Sequence, residues 1–177
     1  MTKKDKPIWV FGYGSLFWYQ NFNFVNFKKG VLKGYHREWA WISSSRGDAP
    51  TCSLKEGGEV KGIFFKLPQD SAEEELEKVR TREIRSTEVV KVNIEGFDGE
   101  VHFWTMGDNL SNYTDLHKKT GKELYLALAK RAKSIKAVSR NGYTAEEYAR
   151  RVYNEVPDCP YTKMYIEVLD SISNRDL

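Results

Sequence analysis

A glutamate at the end of an apolar helical pattern is the strongest candidate for a catalytic group in this sequence. Three apolar residues follow helical spacing: Ala72, Leu76 and Val79. The same row continues to Glu83, so this carboxylate is expected to point inward. Desolvation raises the pKa of a carboxylate towards the range of a usable general base. The residues also allow a second interpretation, in which the helix frays and Glu83 is solvated or paired with a neighbouring arginine.

Two segments that follow predicted strands have the composition of anion-binding turns. In residues 11–16, two glycines flank Tyr13, and small residues let a ligand approach exposed backbone N–H groups. This segment is not a dinucleotide fingerprint, because it has no third glycine and no helix clearly follows it. In residues 43–47, Arg46 could hold a carboxylate. Taken alone, residues 11–16 are better explained as a structural turn at the end of a strand, and residues 43–47 could likewise be only a turn.

Length and composition favour one compact globular domain. The chain has 177 residues, and its 28 basic and 25 acidic side chains give a formal net charge of +3. The charges are well mixed and contain no long basic run, so no nucleic-acid partner is expected. No apolar run has the length of a signal peptide or a membrane span, so no membrane partner is expected. We predict a single domain over residues 1–177, with flexible ends at about residues 1–6 and 174–177.

The cysteines and histidines do not predict a metal site. Cys52 and Cys159 are far apart and fit no metal-ligand or redox spacing, which favours a reducing, cytoplasmic location. The three histidines are isolated and lack the paired spacing of helix-borne zinc sites. We therefore expect no metal ion.

The hydrophobic pattern divides the chain into a strand-rich part and a helical part. Strands are predicted at residues 8–13, 31–45, 51–55, 60–67, 87–94 and 100–105. A turn at residues 96–99 predicts that the last two strands form an antiparallel hairpin. One helix interrupts the strands, and it begins at Ser71 with a Ser-x-x-Glu capping box.

Beyond Gly107 the apolar spacing is helical. The inward positions of three predicted helices are Leu124, Leu128, Ala132 and Ile135, then Tyr148 and Val152, then Met164, Val168 and Ile172. The second of these helices begins at a capping box formed by Thr144 and Glu147. The predicted fold class is therefore α+β, with a mostly antiparallel sheet or barrel flanked by helices.

Five short motifs occur in a defined order along the chain. They are Phe-Gly-Tyr-Gly-Ser-Leu at 11–16, Gly-Tyr-His-Arg at 34–37, Ser-Arg-Gly at 45–47, Gly-Gly-Glu-Val-Lys-Gly at 57–62 and Arg-Glu at 82–83. Together they resemble the gamma-glutamylcyclotransferase family, particularly its ChaC-like branch. Weaker similarity continues through Asn109 and Tyr113 to residues 141–143 and 147–148.

The resemblance implies a mixed sheet of the gamma-glutamylcyclotransferase type and a reaction on a gamma-glutamyl group. In that reaction the substrate's own alpha-amine attacks the gamma-carbonyl, releasing 5-oxoproline and the attached amine or peptide. The resemblance gives Glu83 the role of the base, and later of the acid that protonates the leaving amine. Because ring closure is intramolecular, no cofactor is required.

The resemblance also implies a set of substrate-binding residues. The turn that holds the gamma-glutamyl group corresponds to Tyr13, Gly14, Ser15 and Leu16. Its backbone N–H groups are our candidate for stabilising the oxyanion. Tyr113 is implied as a further pocket residue, and Arg46, Arg82 and Arg85 are candidates for binding the carboxylate of the leaving portion.

Two segments depart from the ChaC-like pattern and leave the substrate open. Residues 84–87 lack the usual glycines and tyrosine after Arg-Glu, and the Arg-Gly loop lacks the expected Pro-Gly. Glutathione, gamma-glutamyl amino acids and gamma-glutamylamines are all compatible. Two other functions also fit: a non-catalytic module that binds gamma-glutamyl groups or 5-oxoproline, and an acyl-transfer enzyme that removes a gamma-glutamyl protecting group from a biosynthetic intermediate. The sequence does not indicate an oligomeric state.

Overall fold

The structure, a computed structural model, describes residues 6–136, 138 and 142–172. Within these residues the strands are β1 (Ile8–Gly12), β2 (Asn26–Ser43), β3 (Ala49–Lys66), β4 (Thr87–Val92) and β5 (Glu100–Thr105). The helices are α1 (Ala72–Arg82), α2 (Gly121–Ser134), α3 (Ala145–Glu155) and α4 (Pro160–Ser171). The flexible ends predicted from the sequence lie outside the described residues, except Lys6, which is exposed.

The chain forms two compact units. The first comprises Met1–His36 and Glu56–Met106, and the second comprises Arg37–Lys55 and Gly107–Leu177. Strands β2 and β3 are each 18 residues long and contribute to both units. The expectation of a single domain over residues 1–177 stays a prediction.

The first unit is built on a mixed sheet. Among the described residues the strand order is β2-β3-β1-β5-β4. Strand β1 runs antiparallel to β3 and parallel to β5, so Val10 lies opposite Phe65 on one side and His102 on the other. Strands β4 and β5 pair antiparallel, which confirms the predicted hairpin. Strand β1 lies at the centre of the sheet, which explains why its sequence is an almost continuous apolar run.

Helix α1 packs its apolar face on this sheet. Leu76 and Val79 are fully buried, and they share a core cluster with Val10 and Phe65 of the sheet. Leu16, from the turn after β1, belongs to the same cluster. Burial of each large apolar side chain contributes about 1.5–3 kcal/mol. The hydrophobic core therefore attaches the turn after β1 to helix α1.

Two sequence predictions about the first unit are wrong. Strand β3 is one strand rather than two. Gly57 and Gly58 adopt positive φ angles of 95° and 75°, which glycine tolerates, and the strand continues through both residues. Ser71 does not form a capping box, since its ψ of 15° is not extended and its side chain makes no capping hydrogen bond. Glu74 instead pairs with Lys78, with 3.3 Å between Nζ and Oε1.

The second unit contains α2, α3 and α4 around an aromatic centre. The indole of Trp39 lies 4.4 Å from the ring of Tyr165 and 5.8 Å from that of Tyr148, measured between centroids. The predicted capping box of α3 is confirmed, because Thr144 and Glu147 exchange both side-chain to backbone hydrogen bonds. The inward position assigned to Met164 is wrong: it is exposed, and Tyr165 and Leu169 occupy the buried face of α4. No helix among the described residues has the length and apolarity to span a membrane.

We expect Gly62→Ala to destabilise the first unit. A Cβ at this position in β3 would overlap the carbonyl oxygen of Gly12 and the ring of Phe11. Overpacking of this kind typically lowers the free energy of unfolding by about 1–3 kcal/mol. Urea denaturation measures the change. The matched control is Gly107→Ala, whose Cβ meets no atom within 4 Å, and an equal loss in the two variants would contradict the steric argument.

Candidate active site

The turn after β1 has a fixed backbone. It leads into a short 3₁₀ helix, Ser15–Phe17, in which Phe17 N donates to Gly14 O at 3.0 Å and Tyr19 N donates to Ser15 O at 2.9 Å. The Tyr13 hydroxyl donates to the carbonyl oxygen of Trp104 in β5 at 2.8 Å. The first N–H groups of such a helix have no acceptor within it, so they are available to an anion or a carbonyl oxygen.

Glu83 lies directly after the last residue of α1. Its N–H donates to Val79 O at 2.9 Å, and its carbonyl accepts from Ser86 N at 2.7 Å. The helix therefore does not fray before this position. The side chain of Glu83 is 22% exposed, and its Oε1 lies 3.4 Å from Nε of Arg82. Glu83 is therefore a mostly buried carboxylate that is paired with a guanidinium.

Arg82 connects Glu83 to the turn. Its Nη2 donates to Ser15 Oγ at 2.6 Å, and its Nη1 donates to Tyr19 O at 2.6 Å. The guanidinium also lies over the Tyr19 ring, 5.0 Å from the centroid. The turn and the Glu83 carboxylate are thus separated by a single side chain. A proton acceptor and a set of backbone N–H donors therefore lie together in the first unit.

The sequence motifs do not single out Glu75, which fixes the segment after the turn. This residue is 2% exposed, and its Oε2 accepts from Asn23 N at 2.7 Å. Its Oε1 accepts from Asn23 Nδ2 at 2.9 Å and from Lys78 Nζ at 2.8 Å. The Lys78 ammonium, and then the Asn23 amide, lower the pKa of Glu75. The spacing of Glu75 from Ala72 and Val79 already placed it on the buried face of α1.

Arg46 belongs to the second unit, where it lines a small surface pocket. Its guanidinium lies over the ring of Tyr148, 4.5 Å from the centroid, and 5.9 Å from that of Tyr143. The pocket is completed by small side chains, including Ala49, Pro50 and Ala145. Nη1 of Arg46 is buried and has no hydrogen-bond partner among the described residues. A buried donor without an acceptor is costly, so an incoming carboxylate oxygen would be stabilised here.

Tyr113 also belongs to the second unit. Its hydroxyl donates to Asp48 Oδ1 at 3.4 Å, and the guanidinium of Arg131 lies 4.9 Å from its ring centroid. Burial and the Asp48 carboxylate raise the pKa of Tyr113, so the hydroxyl remains a hydrogen-bond donor at neutral pH. Asn141, part of the weaker sequence similarity, lies outside the described residues. Within the described residues, no group of three or more His, Cys, Asp or Glu side chains is arranged to hold a metal ion.

The fold of this chain is that of a gamma-glutamylcyclotransferase. A crystal structure of selenomethionine-labelled gamma-glutamyl cyclotransferase specific to glutathione, from yeast, is similar with a TM-score of 0.70. The similarity covers 97% of this chain and 99% of the yeast chain at 14% sequence identity. It confirms the predicted α+β class, with a mixed sheet and flanking helices.

A model of the family described as ChaC-like protein matches residues 8–152, so the chain belongs to the ChaC-like family. The resemblance inferred from the sequence is confirmed. Glutathione-specific gamma-glutamylcyclotransferase of Escherichia coli (strain K12) is 37% identical over 85 residues, which are 45% of this chain and 37% of the relative. Glutathione-specific gamma-glutamylcyclotransferase 1 of Danio rerio is 35% identical over 83 residues, 43% of this chain and 42% of the relative. The matches thus span about two fifths of each relative's length.

We expect Glu75→Gln to lower the free energy of unfolding by about 1–3 kcal/mol at neutral pH, because it disrupts buried charge-assisted hydrogen bonds. The native state lowers the pKa of Glu75, so this stabilisation is present above the unfolded-state value of 4.5 and is lost as pH falls through the native value. The difference from wild type should therefore shrink on acidification. Urea denaturation over a pH series measures it.

The control for this variant is Glu74→Gln, which removes a carboxylate of the same helix that is largely exposed. Exposed ion pairs contribute little, so its effect should be below about 1 kcal/mol. A Glu75→Gln deficit that equals the control, or that grows as the pH falls, would contradict the assignment.

Proposed function

We propose that this protein is a gamma-glutamylcyclotransferase of the lyase class. It converts the gamma-glutamyl group of a small molecule into 5-oxoproline and releases the attached amine or peptide. Membership of the ChaC-like family supports this proposal, as do the two relatives named as glutathione-specific enzymes of this type. Glutathione is therefore the first substrate to test. The free state of both cysteines supports a reducing, cytoplasmic location.

The observation that carries the proposal is the Arg82 bridge between Glu83 and the turn. Cyclisation needs a base for the alpha-ammonium and donors for the oxyanion that forms on the gamma-carbonyl. Glu83 supplies a carboxylate that is mostly buried and still ion-paired. The turn supplies N–H groups on a backbone that Tyr13 attaches to β5. Both requirements are met by neighbouring groups of one unit.

The proposed reaction proceeds in two proton transfers. Glu83 accepts a proton from the alpha-ammonium, and the freed amine attacks the gamma-carbonyl to form the five-membered ring. The N–H groups of Gly14, Ser15 and Leu16 stabilise the resulting oxyanion, and loss of one such donor elsewhere costs about 3–4 kcal/mol. The amide C–N bond then breaks, and the leaving amine takes the proton from Glu83. Because the turn holds the glutamyl chain folded, much of the barrier reduction comes from proximity.

The assignments of Arg46 and Tyr113 as substrate-binding residues are part of the same proposal. Arg46 has a buried donor without an acceptor among the described residues, which suits the terminal carboxylate of a leaving peptide. Tyr113 keeps a protonated hydroxyl that can donate to a substrate oxygen. Both roles originate in the family resemblance and have to be tested by substitution.

We expect Glu83→Gln to reduce kcat for 5-oxoproline release from glutathione by about 10²–10⁴-fold, the usual contribution of general acid–base catalysis. Gln preserves the shape of the side chain but does not accept the proton. Thermal unfolding checks that the variant is folded, and calorimetry with 5-oxoproline checks that the site still binds. Glu59→Gln, an exposed substitution on β3, is the matched control.

Unchanged turnover in Glu83→Gln would reject Glu83 as the base. If the wild type released no 5-oxoproline from glutathione or from other gamma-glutamyl amides, yet bound 5-oxoproline, the chain would be a binding module. Release only from larger gamma-glutamyl amides would indicate the protecting-group activity.

We expect Arg46→Gln to raise KM for glutathione by about 10- to 100-fold, which corresponds to loss of one charge-assisted hydrogen bond. The KM for a gamma-glutamylamine whose leaving group has no carboxylate should not change. Steady-state kinetics with the two substrates measure the contrast. Arg85→Gln is the comparison, because Arg85 is a competing candidate for the same carboxylate. The same contrast in Arg85→Gln, with no effect at Arg46, would contradict the assignment.

A further inference from the structure

The two cysteines of the second unit lie in opposite chemical environments, and the proposed cyclisation uses neither. Cys52 is buried in β3, and its Sγ lies 3.1 Å from the Tyr148 hydroxyl. Burial raises the pKa of the Cys52 thiol, which keeps it protonated and unreactive. Cys159 is partly exposed and lies immediately before α4. Only the second thiol is accessible to a small molecule in solution.

Cys159 is the N-cap residue of α4, where Pro160 occupies the first helical position. Its carbonyl oxygen accepts from Lys163 N at 2.8 Å, so the residue is fixed to the first helical turn. The N-terminus of a helix carries a partial positive charge, which stabilises an anion placed there. A sulfur at this position is more stable as a thiolate than one in solution.

Two buried polar side chains are directed at Cys159. Thr162 is completely buried, and its Oγ1 has no partner at hydrogen-bonding geometry within the part of the chain that the structure describes. Burial by itself disfavours the Cys159 thiolate, but the Thr162 hydroxyl, the Thr162 backbone N–H and the guanidinium of Arg37 together outweigh burial and lower the pKa of Cys159. Arg37 is itself only 2% exposed, so its charge is poorly screened by water.

A structural role does not account for this arrangement. A thiol that only packs is buried in apolar surroundings and has a raised pKa, as Cys52 has. Reactive thiols combine partial exposure with a helix N-terminus or a nearby cation, and Cys159 combines all three. Thr162 adds a buried hydroxyl beside the thiol that makes no hydrogen bond to any other described residue.

We propose that Cys159 is a site of reversible modification by small-molecule disulfides. The Cys159 thiol loses its proton to solvent, and its sulfur attacks one sulfur of the disulfide. A new S–S bond forms to Cys159, the S–S bond of the small molecule breaks, and the departing thiolate takes a proton from solvent. The disulfide is the oxidant, so the exchange is balanced without another reactant. The proposal does not depend on the cyclotransferase activity.

The test uses glutathione disulfide on the reduced full-length protein, followed by intact mass measurement and peptide mapping. We expect one glutathionyl group on Cys159, formed well before any adduct on Cys52 and removed by dithiothreitol. In the same protein, alkylation of Cys159 by iodoacetamide should reach half its maximal rate below pH 8.5, about the ordinary value for a free cysteine. Modification of Cys52 at a similar rate, no adduct on Cys159, or an ordinary pH profile would overturn the proposal.

A matched pair of variants tests the contribution of the buried hydroxyl. Thr162→Val keeps the shape and removes the hydroxyl, whereas Thr162→Ser keeps the hydroxyl. We expect adduct formation on Cys159 to slow in Thr162→Val by about threefold for each pKa unit gained, because the lost thiolate fraction is partly offset by greater nucleophilicity. Thr162→Ser should react as the wild type does. Equal rates in the two variants would show that the Thr162 hydroxyl does not contribute to the reactivity of Cys159. The pH profile of the wild type tests the reactivity of Cys159 without either variant.

Discussion

The arrangement of the candidate site depends on one guanidinium. Arg82 is the last residue of α1, and its planar group reaches the Ser15 hydroxyl, the Tyr19 carbonyl and the Glu83 carboxylate. Several donors held in a rigid plane can satisfy acceptors in different directions, which a lysine ammonium on a flexible chain does less well. The end of α1 and the turn after β1 are therefore held in a fixed relative position by a single side chain. Without it, Glu83 would retain its place at the end of α1 but lose its fixed position relative to the turn.

The surrounding core restricts the turn from the other side. Leu16 lies in the hydrophobic cluster between α1 and the sheet, and Tyr13 is hydrogen-bonded to β5. Glu75 then holds Asn23, so that the segment following the turn is also attached to α1. These contacts are of three physical kinds: burial of an apolar side chain, a neutral hydrogen bond and charge-assisted hydrogen bonds. The turn is consequently preorganised, which is what stabilisation of a developing oxyanion requires.

The sequence was most informative where the determinants are local. Helical spacing placed Glu83 at the end of α1, the Thr144 capping box marked the start of α3, and the turn at residues 96–99 predicted the β4–β5 hairpin. Ordered motifs led to the family and to the fold. Two of the wrong predictions, the break in β3 and the inward position of Met164, concern features that tertiary contacts decide, whereas the Ser71 capping box was a local prediction that failed because the backbone of Ser71 is not extended. The glycines in β3 resemble a turn until the pairing of the whole strand is known, and the exposed face of α4 depends on what packs beside it.

The same distinction applies to the candidate site. The residue types of the turn and of Arg-Glu were readable from the chain, but the hydrogen bond from Arg82 to Ser15 joins residues far apart in sequence. The spacing of Glu75 marked it as a buried position of α1, but its role in fixing the segment after the turn depends on its distant partner, Asn23. The environment of Cys159 likewise depends on Arg37 from β2 and Thr162 from α4. Long-range electrostatic partners of this kind leave no periodic signal in the sequence.

The division of β2 and β3 between the two units has a consequence for synthesis on the ribosome. Residues 37–55 belong to the second unit but lie inside the sequence of the first. The first unit has all of its residues once position 106 has left the exit tunnel, whereas the second unit requires helices encoded at the other end of the chain. The hairpin formed by the inner halves of β2 and β3 must therefore wait for α2, α3 and α4 with its apolar residues, Trp39 among them, incompletely covered. We infer that folding begins with the unit that carries Glu83, and that the interval before α4 emerges is when the chain is most exposed to aggregation.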